Sequence, residues 1–312
     1  MAELYLGVDG GQSRTKAVVG DGEGRVVGRG VAGPCNHVGA AEGRAKLTGA
    51  LTEAVSQALE PLGGNLATAR FAAACFGMSG GPADKARSIA EMVHAERIDV
   101  TTDAAIALLG GAAGEPGVVV ISGTGSMAYG RNAEGRTARA GGWGYVFGDE
   151  GGAFDIVRQA LRAALRHEEG WGEATVLTEL LLAESGSPDV NDLLHRFYTD
   201  AFPRPKVAAY SRLVDRAAAD GDRAALEILR RAGRDLAGYA LAVRDNLFLA
   251  DEVVPVVRVG GVFQSARVRD SFEGCLKTHG GAEPREPRFD PAIGALIGAY
   301  QLAGKEIVPG EA

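Results

Sequence analysis

The segment "LYLGVDGGQSRTKAVVG", residues 4–20, joins two apolar runs through a short polar turn that is rich in glycine. The runs at residues 4–8 and 16–20 predict two strands, and the residues between them predict a tight turn. A second turn, "DGEG" at residues 21–24, leads into a third predicted strand over residues 25–30. The chain is therefore expected to begin with three strands joined by two turns.

The same order of elements returns after Pro116. "VVVIS" predicts a strand, "GTGS" a Gly-rich turn, "MAYG" a returning strand, "NAEG" a second turn and "RTARAGG" a third strand. The second turns even align, since residues 23–25 and 134–136 both read Glu-Gly-Arg. A shared order of five elements predicts two halves that are built on one plan.

The remaining segments alternate between helical and strand patterns. Apolar residues recur at helical spacing over residues 41–62, with Leu47, Leu51, Val55, Leu59 and Leu62 on one face. Further helices are predicted around residues 153–165, 222–249 and 291–303, and further strands over residues 70–77, 97–102 and 253–259. Alternating strands and helices predict the α/β class.

Composition excludes several classes of protein. The chain has 312 residues, 46% of them hydrophobic and 23% charged, and this length predicts two domains. Its longest apolar runs cover only a few residues, so no membrane-spanning segment is expected, and the first residues show no secretory signal. The net charge of -7 argues against general nucleic-acid binding. Cys35, Cys75 and Cys275 form no CxxC pair, which is typical of reduced thiols in the cytoplasm.

Both Gly-rich turns carry hydroxyl side chains among their glycines: Ser13 and Thr15 in the first, Thr124 and Ser126 in the second. Glycines let consecutive backbone amides turn inward and bind an anion, and hydroxyls add hydrogen-bond donors. Either turn alone is equally well explained as a tight hairpin. Two such turns in matching places favour a nucleotide bound between two domains.

Two carboxylates follow predicted strands directly. Asp9 begins the first turn, where a carboxylate can hold Mg²⁺, directly or through waters, beside phosphates. Asp103 lies between a strand and a helix. It can act as a helix N-cap, or as a general base that takes a proton from a substrate hydroxyl attacking the γ-phosphate of ATP. Spacing alone leaves both interpretations open.

Two other motifs point to different classes of protein. "GRGVAG" at residues 28–33 matches G-x-G-x-x-G, but Pro34 follows and no helix begins there, so a dinucleotide site is not expected. "GMSGG" at residues 77–81 matches G-x-S-x-G, which makes an α/β-hydrolase with Ser79 as nucleophile a distant alternative. That fold needs a later histidine, for which His279 is the candidate.

Six motifs together resemble one family. They are "GVDGGQSRTK" (7–16), "NH" (36–37), "TTDAA" (101–105), "ISGTGS" (121–126), "GGWGYVFGDEGG" (141–152) and "VGGVFQS" (259–265). Their sequence and order resemble the N-acetylglucosamine kinase branch of the BadF/BadG/BcrA/BcrD ATPases, in the sugar kinase, Hsp70 and actin superfamily. The motifs run from residue 7 towards residue 300, so the resemblance covers nearly the whole chain.

The resemblance implies two ribonuclease-H-like (actin-like ATPase) domains with ATP and sugar in the cleft between them. We place the first domain at residues 1–115 with 290–312, and the second at residues 116–289. The implied activity is ATP- and Mg²⁺-dependent phosphorylation of N-acetylglucosamine at its 6-hydroxyl. The resemblance also implies a homodimer, and the composition predicts a cytoplasmic protein that binds neither nucleic acid nor membrane.

Carried over by position, the resemblance gives each motif a role. The implied phosphate contacts are Gly10, Gly11, Gln12, Ser13 and Thr15 in the first turn and Gly123, Thr124, Gly125 and Ser126 in the second. Gly260 and Gly261 would lie against the adenosine, Asp9 would hold Mg²⁺, and Asp103 would be the catalytic base. The implied sugar contacts are Asn36, Ser79, Asp103, Trp143, Gly144 and Asp149.

Several of these residues have simpler alternatives. Asn36 can cap a turn, Trp143 can belong to the core, and Asp149 can cap the helix that begins near Gly152. Glu150 can be an acid in the first turn of that helix. The chain also departs from the family pattern at residues 12–13, which are Gln-Ser where Gly-Thr is common, and at "PADK" (82–85), where no sugar-contacting acid aligns.

Sister functions remain open within the family. Glucosamine kinase and N-acetylmuramic acid kinase are the nearest alternatives, because the motifs do not distinguish the substituents on the sugar. Activators of 2-hydroxyacyl-CoA dehydratases are a distant alternative, since they carry iron–sulfur cysteines and the three cysteines here lack such spacing.

Overall fold

The computed structural model describes residues 3–35, 40–80 and 83–310. The chain divides into two compact units, the first formed by Met1–Gly117 with Glu286–Ala312 and the second by Val118–Arg285. Each unit is built around a five-stranded mixed sheet that packs against helices. The α/β class that the alternating pattern predicts is therefore confirmed.

The strands of the described residues follow the predicted positions closely, except for the short last one, Ala282–Arg285, which the sequence pattern does not predict. They are β1 (Leu4–Gly10), β2 (Thr15–Asp21), β3 (Val26–Ala32), β4 (Phe71–Met78), β5 (Ala95–Thr102), β6 (Gly117–Ser122), β7 (Ser126–Arg131), β8 (Thr137–Gly141), β9 (Val254–Val259) and β10 (Ala282–Arg285). The first sheet has the order β3-β2-β1-β4-β5 and the second the order β10-β9-β6-β7-β8. Read from their central strands, the two orders are equivalent, as expected for a duplicated plan.

The helices of the described residues differ more between the two units. They are α1 (Ala40–Leu59), α2 (Ala83–Met92), α3 (Asp103–Gly111), α4 (Ala153–Glu168), α5 (Leu177–Ser185), α6 (Val190–Phe197), α7 (Arg204–Ala208), α8 (Ser211–Ala219), α9 (Arg223–Leu247), α10 (Ala266–His279) and α11 (Pro291–Leu302). None of these helices combines the length and the apolar character needed to cross a membrane.

The duplication extends to single hydrogen bonds in the two tight turns. The Asp21 carboxylate accepts a hydrogen bond from the backbone N–H of Arg25 (3.0 Å), and the Asn132 side chain accepts the equivalent bond from Arg136 (2.9 Å). Gly24 and Gly135 occupy the same turn position with φ of 88° and 78°, where glycine is favoured because it lacks a Cβ. The predicted repeat is thus confirmed in atomic detail.

The first sheet buries an apolar layer on each of its two faces. In β1, Leu6 and Val8 belong to the core under α1, whereas Tyr5 belongs to the core formed with α3 and α11. This alternation follows from the two-residue period of a strand. The predicted face of α1 is buried up to Leu59, but Leu62 lies in a following 3₁₀ turn and is exposed, so its assignment to that face is wrong.

The glycines of "GRGVAG" serve helix packing. Gly28 and Gly30 lie on β3 where α1 crosses it, and an added Cβ would come within 1.8 Å of Ala58 O at Gly28 and within 1.9 Å of Ala54 O at Gly30. No helix begins at the end of this segment within the described residues, which end there at Cys35. The G-x-G-x-x-G match therefore reflects a close approach of backbone to backbone.

We expect Gly28→Ala to lower the free energy of unfolding by at least about 2 kcal/mol, because α1 must move away from β3 to admit a methyl group. Thermal or urea unfolding followed by circular dichroism measures the change. Gly49→Ala is the matched control, since Gly49 lies in α1 itself and has open space around its Cα. That substitution should raise stability by about 0.5–1 kcal/mol. Equal stability of the two variants would contradict the close approach.

The second unit contains a helical segment that periodicity did not predict. No element is expected from sequence between the end of α4 and the start of α9, yet α5, α6, α7 and α8 lie there. These helices have 5–9 residues each, which is too short for a clear helical period. Their apolar residues, among them Leu181, Leu193 and Leu213, join the core of the second unit.

Candidate active site

The carboxyl ends of three strands meet at one edge of the first sheet. β1, β4 and β5 are parallel, with Gly10 opposite Met78 and Met78 opposite Thr102. Asp9 therefore lies beside the end of β4, and Ser79 and Asp103 follow their strands directly. This edge is where open α/β sheets place their ligand-binding residues.

The Asp103 carboxylate is held by Ser79. The Ser79 hydroxyl donates a hydrogen bond to Asp103 Oδ2 (2.9 Å), and the Ser79 backbone N–H donates to Gly10 O (3.0 Å). Lys85 Nζ donates to Ser79 O (2.9 Å), which fixes the same residue from a third side. Asp103 itself is half-buried at the start of α3. The arrangement leaves a positioned carboxylate at the sheet edge.

The N-cap interpretation of Asp103 is wrong. The cap of α3 is Thr102, whose side chain accepts a hydrogen bond from the backbone N–H of Ala105 (3.2 Å). Asp103 is the first helical residue, and its Oδ1 accepts from the neighbouring N–H of Ala104 (2.9 Å). The helix therefore does not need Asp103 as its cap, and the second carboxylate oxygen remains oriented by Ser79.

The contacts of Ser79 and His279 argue against the α/β-hydrolase alternative. Ser79 is buried and donates its hydroxyl hydrogen bond to a carboxylate. His279 belongs to the second unit, where its Nε2 lies 3.3 Å from Asp245 Oδ2. A serine nucleophile instead needs an imidazole as its hydrogen-bond acceptor. The described residues therefore show a serine that orients an aspartate.

Asp9 carries a strongly perturbed carboxyl group. Burial raises the pKa of Asp9 from 3.8 to about 6, and the negative charges of Asp103 and Asp290 act in the same direction against the opposing charge of Lys16. Lys16 Nζ lies 2.8 Å from Asp290 Oδ2, so its charge is shared with a second acid. A perturbed acid at a strand end, surrounded by other charges, is typical of a functional site.

Asp290 was not predicted as part of this charge cluster. Its carboxylate caps α11 by accepting from the backbone N–H of Ile293 (3.0 Å), and its second oxygen accepts from Lys16. Burial would raise the pKa of Asp290, but the hydrogen bonds from Lys16 and Ile293 hold it below its usual value. The Asp-Pro pair at the start of the last predicted helix signals the cap, but nothing local signals the pairing with Lys16.

The donor set around Asp9 fits magnesium bound with phosphates. Within the described residues, no group of three or more His, Cys, Asp or Glu side chains is arranged to hold a metal ion by itself. Mg²⁺ is usually bound by one or two carboxylates together with waters and substrate phosphates. A single half-buried carboxylate beside a Gly-rich turn matches that chemistry.

We expect Asp9→Asn to stabilise the protein in the absence of metal and nucleotide. Because the folded-state pKa is raised to about 6, the ionised carboxylate destabilises the fold above pH 6, and this cost disappears as the pH falls towards 3.8. The variant should therefore be more stable than wild type by on the order of 1 to 3 kcal/mol at pH 8.

Urea unfolding of both proteins in EDTA at pH 8 and pH 4.5 measures this difference. The difference in the free energy of unfolding between variant and wild type should shrink strongly at pH 4.5, where wild-type Asp9 is protonated in the folded state. Asp99→Asn, on the exposed side of β5, is a surface control for the loss of one negative charge. A variant that is less stable than wild type at pH 8 would contradict the assigned burial of the charge.

The first Gly-rich turn exposes its tip. Gly11 N–H donates to Arg14 O (3.0 Å), and Gln12 and Ser13 lie exposed between them. Thr15 is fully buried, and its hydroxyl donates to Gly33 O (2.9 Å). The Ser13 hydroxyl is thus available at the tip, whereas the Thr15 hydroxyl holds β2 to the segment after β3.

The second Gly-rich turn is tied to the segment that precedes α4. Gly123 N–H donates to Gly125 O (3.0 Å), which closes the turn. The Ser126 hydroxyl donates to Glu150 O (2.6 Å), and the backbone N–H of Phe154 donates to Thr124 O (3.1 Å). Thr124 remains partly exposed. The motifs "ISGTGS" and "GGWGYVFGDEGG" therefore form one structural unit.

Asp149 lies at the centre of this unit in an unusual conformation. Its φ is 61°, a region that non-glycine residues adopt rarely, and its side chain is buried. Asp149 Oδ2 accepts a hydrogen bond from Arg204 (3.1 Å), and Oδ1 accepts a long one from Ser126 N–H (3.5 Å). Its carboxylate packs against Gly125, where an added Cβ would lie only 2.5 Å from Oδ2. Backbone strain of this kind is concentrated at functional sites.

Both simpler interpretations of the acid pair are wrong. Gly152 is the N-cap of α4 and makes no side-chain cap, so Asp149 does not cap this helix. Glu150 precedes the helix, whose first-turn acid is Asp155. The Glu150 carboxylate instead accepts a hydrogen bond from the Tyr239 hydroxyl of α9, and burial together with this bond raises the pKa of Tyr239. Glu150 therefore anchors the segment to α9.

The aromatic side chains within residues 143–147 lie on the surface of the second unit. Trp143 is 66% exposed, with the Arg139 guanidinium 4.6 Å from its ring centre, and Phe147 is 86% exposed. The interpretation of Trp143 as a core residue is therefore wrong. Gly144 follows it with φ of 80°, a conformation that turns the backbone sharply at this point.

Gly260 lies at the end of β9, beside the second Gly-rich turn. Its φ is 114°, and an added Cβ would lie 2.1 Å from Ser122 O, so a larger residue is excluded. Gly261 begins a 3₁₀ turn with open space around it. Asn36, the remaining predicted sugar contact, lies outside the described residues, as does part of the "PADK" segment.

Comparison with known proteins identifies the family of this chain. The model of the BadF/BadG/BcrA/BcrD ATPase family matches residues 6–299. An N-acetylmuramic acid/N-acetylglucosamine kinase from Clostridium acetobutylicum is 34% identical over 302 residues, covering 95% of this chain and 97% of that protein. An N-acetyl-D-glucosamine kinase from Dictyostelium discoideum is 28% identical over 311 residues, with coverage of 95% and 97%.

Solved structures share the fold. A protein from Chromobacterium violaceum, described as a candidate N-acetylglucosamine kinase, superposes with a TM-score of 0.76 at 24% identity, covering 97% of this chain and 99% of its own. A ROK family glucokinase from Streptomyces griseus, solved with glucose and AMPPNP, gives a TM-score of 0.55 at 18% identity, with coverage of 96% and 98%. The predicted fold class of two actin-like ATPase domains is confirmed.

Proposed function

Because this chain belongs to the BadF/BadG/BcrA/BcrD ATPase family, we propose that it transfers the γ-phosphoryl group of ATP to the 6-hydroxyl of N-acetylglucosamine. The chain is an ATP-dependent sugar kinase, and the two relatives described above, which are both amino-sugar kinases by name, support a hexosamine as the acceptor. N-acetylglucosamine is common to both names, and it is therefore the first substrate to test.

The observation that carries this proposal is the Ser79–Asp103 pair at the edge of the first sheet. Asp103 would take the proton from the attacking sugar hydroxyl, and Ser79 would keep its carboxylate oriented through the 2.9 Å hydrogen bond. A positioned base of this kind is what phosphoryl transfer to an alcohol requires from the protein. Asp103 and Ser79 would also contact the sugar.

The two Gly-rich turns would bind the phosphates of ATP. The residues assigned to this role are Gly10, Gly11, Gln12 and Ser13 of the first turn and Gly123, Thr124 and Gly125 of the second. Ser126 would hold the second turn in place, because its buried hydroxyl is bonded to Glu150 O. Thr15 would act by holding the first turn in place, because its hydroxyl is bonded to Gly33. Gly260 and Gly261 would lie against the adenosine, where a bare backbone permits close approach.

Magnesium would be held by Asp9, directly or through waters. When bound, the ion would neutralise charge on the phosphates during transfer. Asp9 in its ionised form is the ligand, and its neighbours Asp103 and Asp290 add negative charge that favours a cation at this edge. Lys16 keeps Asp290 paired and limits the total charge.

Asp149 would receive hydroxyl groups of the sugar. Its buried, ionisable side chain is fixed by Arg204 and by its own constrained backbone, so it would bind without reorganising. Trp143 would provide an apolar wall and Gly144 a close backbone contact. Asn36 completes the proposed set. A cytoplasmic homodimer is the expected state of the protein.

A coupled assay of ADP release tests the proposed substrate. We would compare N-acetylglucosamine, glucosamine, N-acetylmuramic acid, N-acetylmannosamine and glucose at equal concentrations with ATP and Mg²⁺. The proposal predicts the highest kcat/KM with an N-acetylated amino sugar and little turnover of glucose. Absence of sugar-stimulated ADP release, or preference for glucose, would contradict the proposed function.

A further inference from the structure

Arg204, at the start of α7, is held in one orientation by aromatic rings. Its guanidinium lies 4.5 Å from the ring centre of Tyr145 and 5.7 Å from that of Phe154. One of its nitrogens donates to Asp149 Oδ2 (3.1 Å). Stacking on rings and pairing with a carboxylate are typical of a pre-organised arginine. The guanidinium is therefore fixed directly beside the proposed sugar ligand.

The hydrogen-bonding capacity of Arg204 is only partly used. A guanidinium has five N–H donors, and Nε of Arg204 is buried with no hydrogen-bond partner among the described residues. The side chain is nonetheless 41% exposed, so part of the fork is open to a ligand. Because Nε is buried, only the remaining part of the side chain is available to a ligand.

Arg204 lines a cavity of the second unit. This cavity has a volume of about 730 Å³, and its walls include Tyr145, Phe154 and Phe202. Two other arginines, Arg158 and Arg162, also line it, against a single acid, Asp200. Arg158 is already paired with Asp155 (2.6 Å). The cavity thus combines apolar walls with an excess of positive charge.

These features fit a substrate that carries a carboxylate. A neutral amino sugar bound to Asp149 would need no cation beside it, whereas a carboxylate on the same sugar would be repelled by the charge of Asp149. A guanidinium between two carboxylates removes that repulsion, and apolar walls strengthen the pairing by lowering the local dielectric. The planar guanidinium of an arginine can donate two parallel hydrogen bonds, so it suits a carboxylate better than the ammonium group of a lysine would.

We propose that Arg204 is a specificity-determining residue that lets this kinase accept amino sugars bearing a carboxylate substituent, of which N-acetylmuramic acid is the test compound. The inference rests on the proposed function, since it takes Asp149 as a sugar ligand. Arg204 would donate hydrogen bonds to the substrate carboxylate from accessible guanidinium N–H groups that are not bonded to Asp149. N-acetylglucosamine would bind the same site without this contact.

The test compares kcat/KM for N-acetylmuramic acid and for N-acetylglucosamine in three variants. Arg204→Gln should lower the value for N-acetylmuramic acid by about 10- to 100-fold more than the value for N-acetylglucosamine, because only the first sugar loses a charged contact. Arg204→Lys should lower kcat/KM for N-acetylmuramic acid, relative to N-acetylglucosamine, by a smaller factor, since it keeps the positive charge but lacks the planar guanidinium. Arg216→Gln is the matched control, which removes an exposed arginine of α8 that is not among the residues lining this cavity and should leave the ratio within about 2-fold of wild type.

A second measurement uses the wild-type protein and does not depend on any variant folding. The methyl ester of N-acetylmuramic acid removes the charge of the substituent and adds a single methyl group. We expect kcat/KM for the ester to be at least about 10-fold below that for the acid. An ester that reacts as well as the acid would overturn the inference.

The other outcomes separate the inference from the proposed function. Equal losses for both sugars in Arg204→Gln would show that Arg204 only positions Asp149, and would overturn the inference. If the wild-type protein phosphorylates N-acetylglucosamine but not N-acetylmuramic acid, the inference about Arg204 is overturned and the proposed function is retained. Wild type that phosphorylates no amino sugar would overturn both.

Discussion

Replacing Asp103 by Asn is expected to lower kcat for sugar phosphorylation by about 1,000-fold, while the affinity for ATP changes little. The amide keeps the size of the side chain and can still accept the hydrogen bond from Ser79, but it cannot take a proton from the sugar hydroxyl. Thr102 caps α3 independently, so the helix should remain intact. Steady-state ADP release and equilibrium binding of a nucleotide measure the two effects separately.

Ser79→Ala serves as the companion variant to Asp103→Asn. It removes the hydroxyl that orients Asp103 and keeps the base itself, so we expect a loss of about 10-fold, much smaller than that of Asp103→Asn. Turnover close to wild type in Asp103→Asn would show that another group takes the proton. A larger loss in Ser79→Ala than in Asp103→Asn would also contradict the assigned roles.

Replacing Asp149 by Asn is expected to raise KM for the sugar by about 10- to 100-fold, with a much smaller effect on KM for ATP. Asn tolerates the left-handed conformation at φ of 61°, so the backbone should be retained. The substitution removes the negative charge that pairs with Arg204 and is proposed to receive sugar hydroxyls. Initial rates with each substrate varied in turn give both constants.

Asp149→Gly separates the backbone from the carboxylate. Glycine adopts a positive φ without strain, so this variant should fold at least as readily at that position. If the carboxylate binds the sugar, Asp149→Gly should bind it even more weakly than Asp149→Asn. Normal sugar KM in the glycine variant would mean that Asp149 only shapes the loop. An equal rise in both KM values would instead place Asp149 with the second phosphate turn.

Local patterns in the sequence predict the sheets and the two turns. The strand–turn–strand order around residues 9–15 and 123–126 depends on glycine, β-branched residues and short spacings, all of which act between neighbours in the chain. The parallel register then brings Asp9, Ser79 and Asp103 to one edge, and this follows from topology once the strands are known. This half of the candidate site is therefore readable from sequence.

The remaining partners are set by tertiary packing. Lys16 and Asp290 are separated by 274 positions, and Glu150 and Tyr239 by 89, so no local pattern could pair them. Arg204 lies in the short helices after α5, where periodicity is weak. The φ of Asp149 is also invisible in the sequence, because aspartate rarely adopts it without support from its surroundings.

The position of the phosphate on the product shows whether Asp103 activates the 6-hydroxyl of the sugar. N-acetylglucosamine is incubated with ATP, Mg²⁺ and the wild-type protein, and the product is analysed by phosphorus and proton NMR. We expect one sugar phosphate with phosphorus coupled to the two protons on carbon 6, and none with Asp103→Asn on the same timescale. Phosphate coupled to the anomeric proton, or ATP hydrolysed with no sugar phosphate formed, would contradict it.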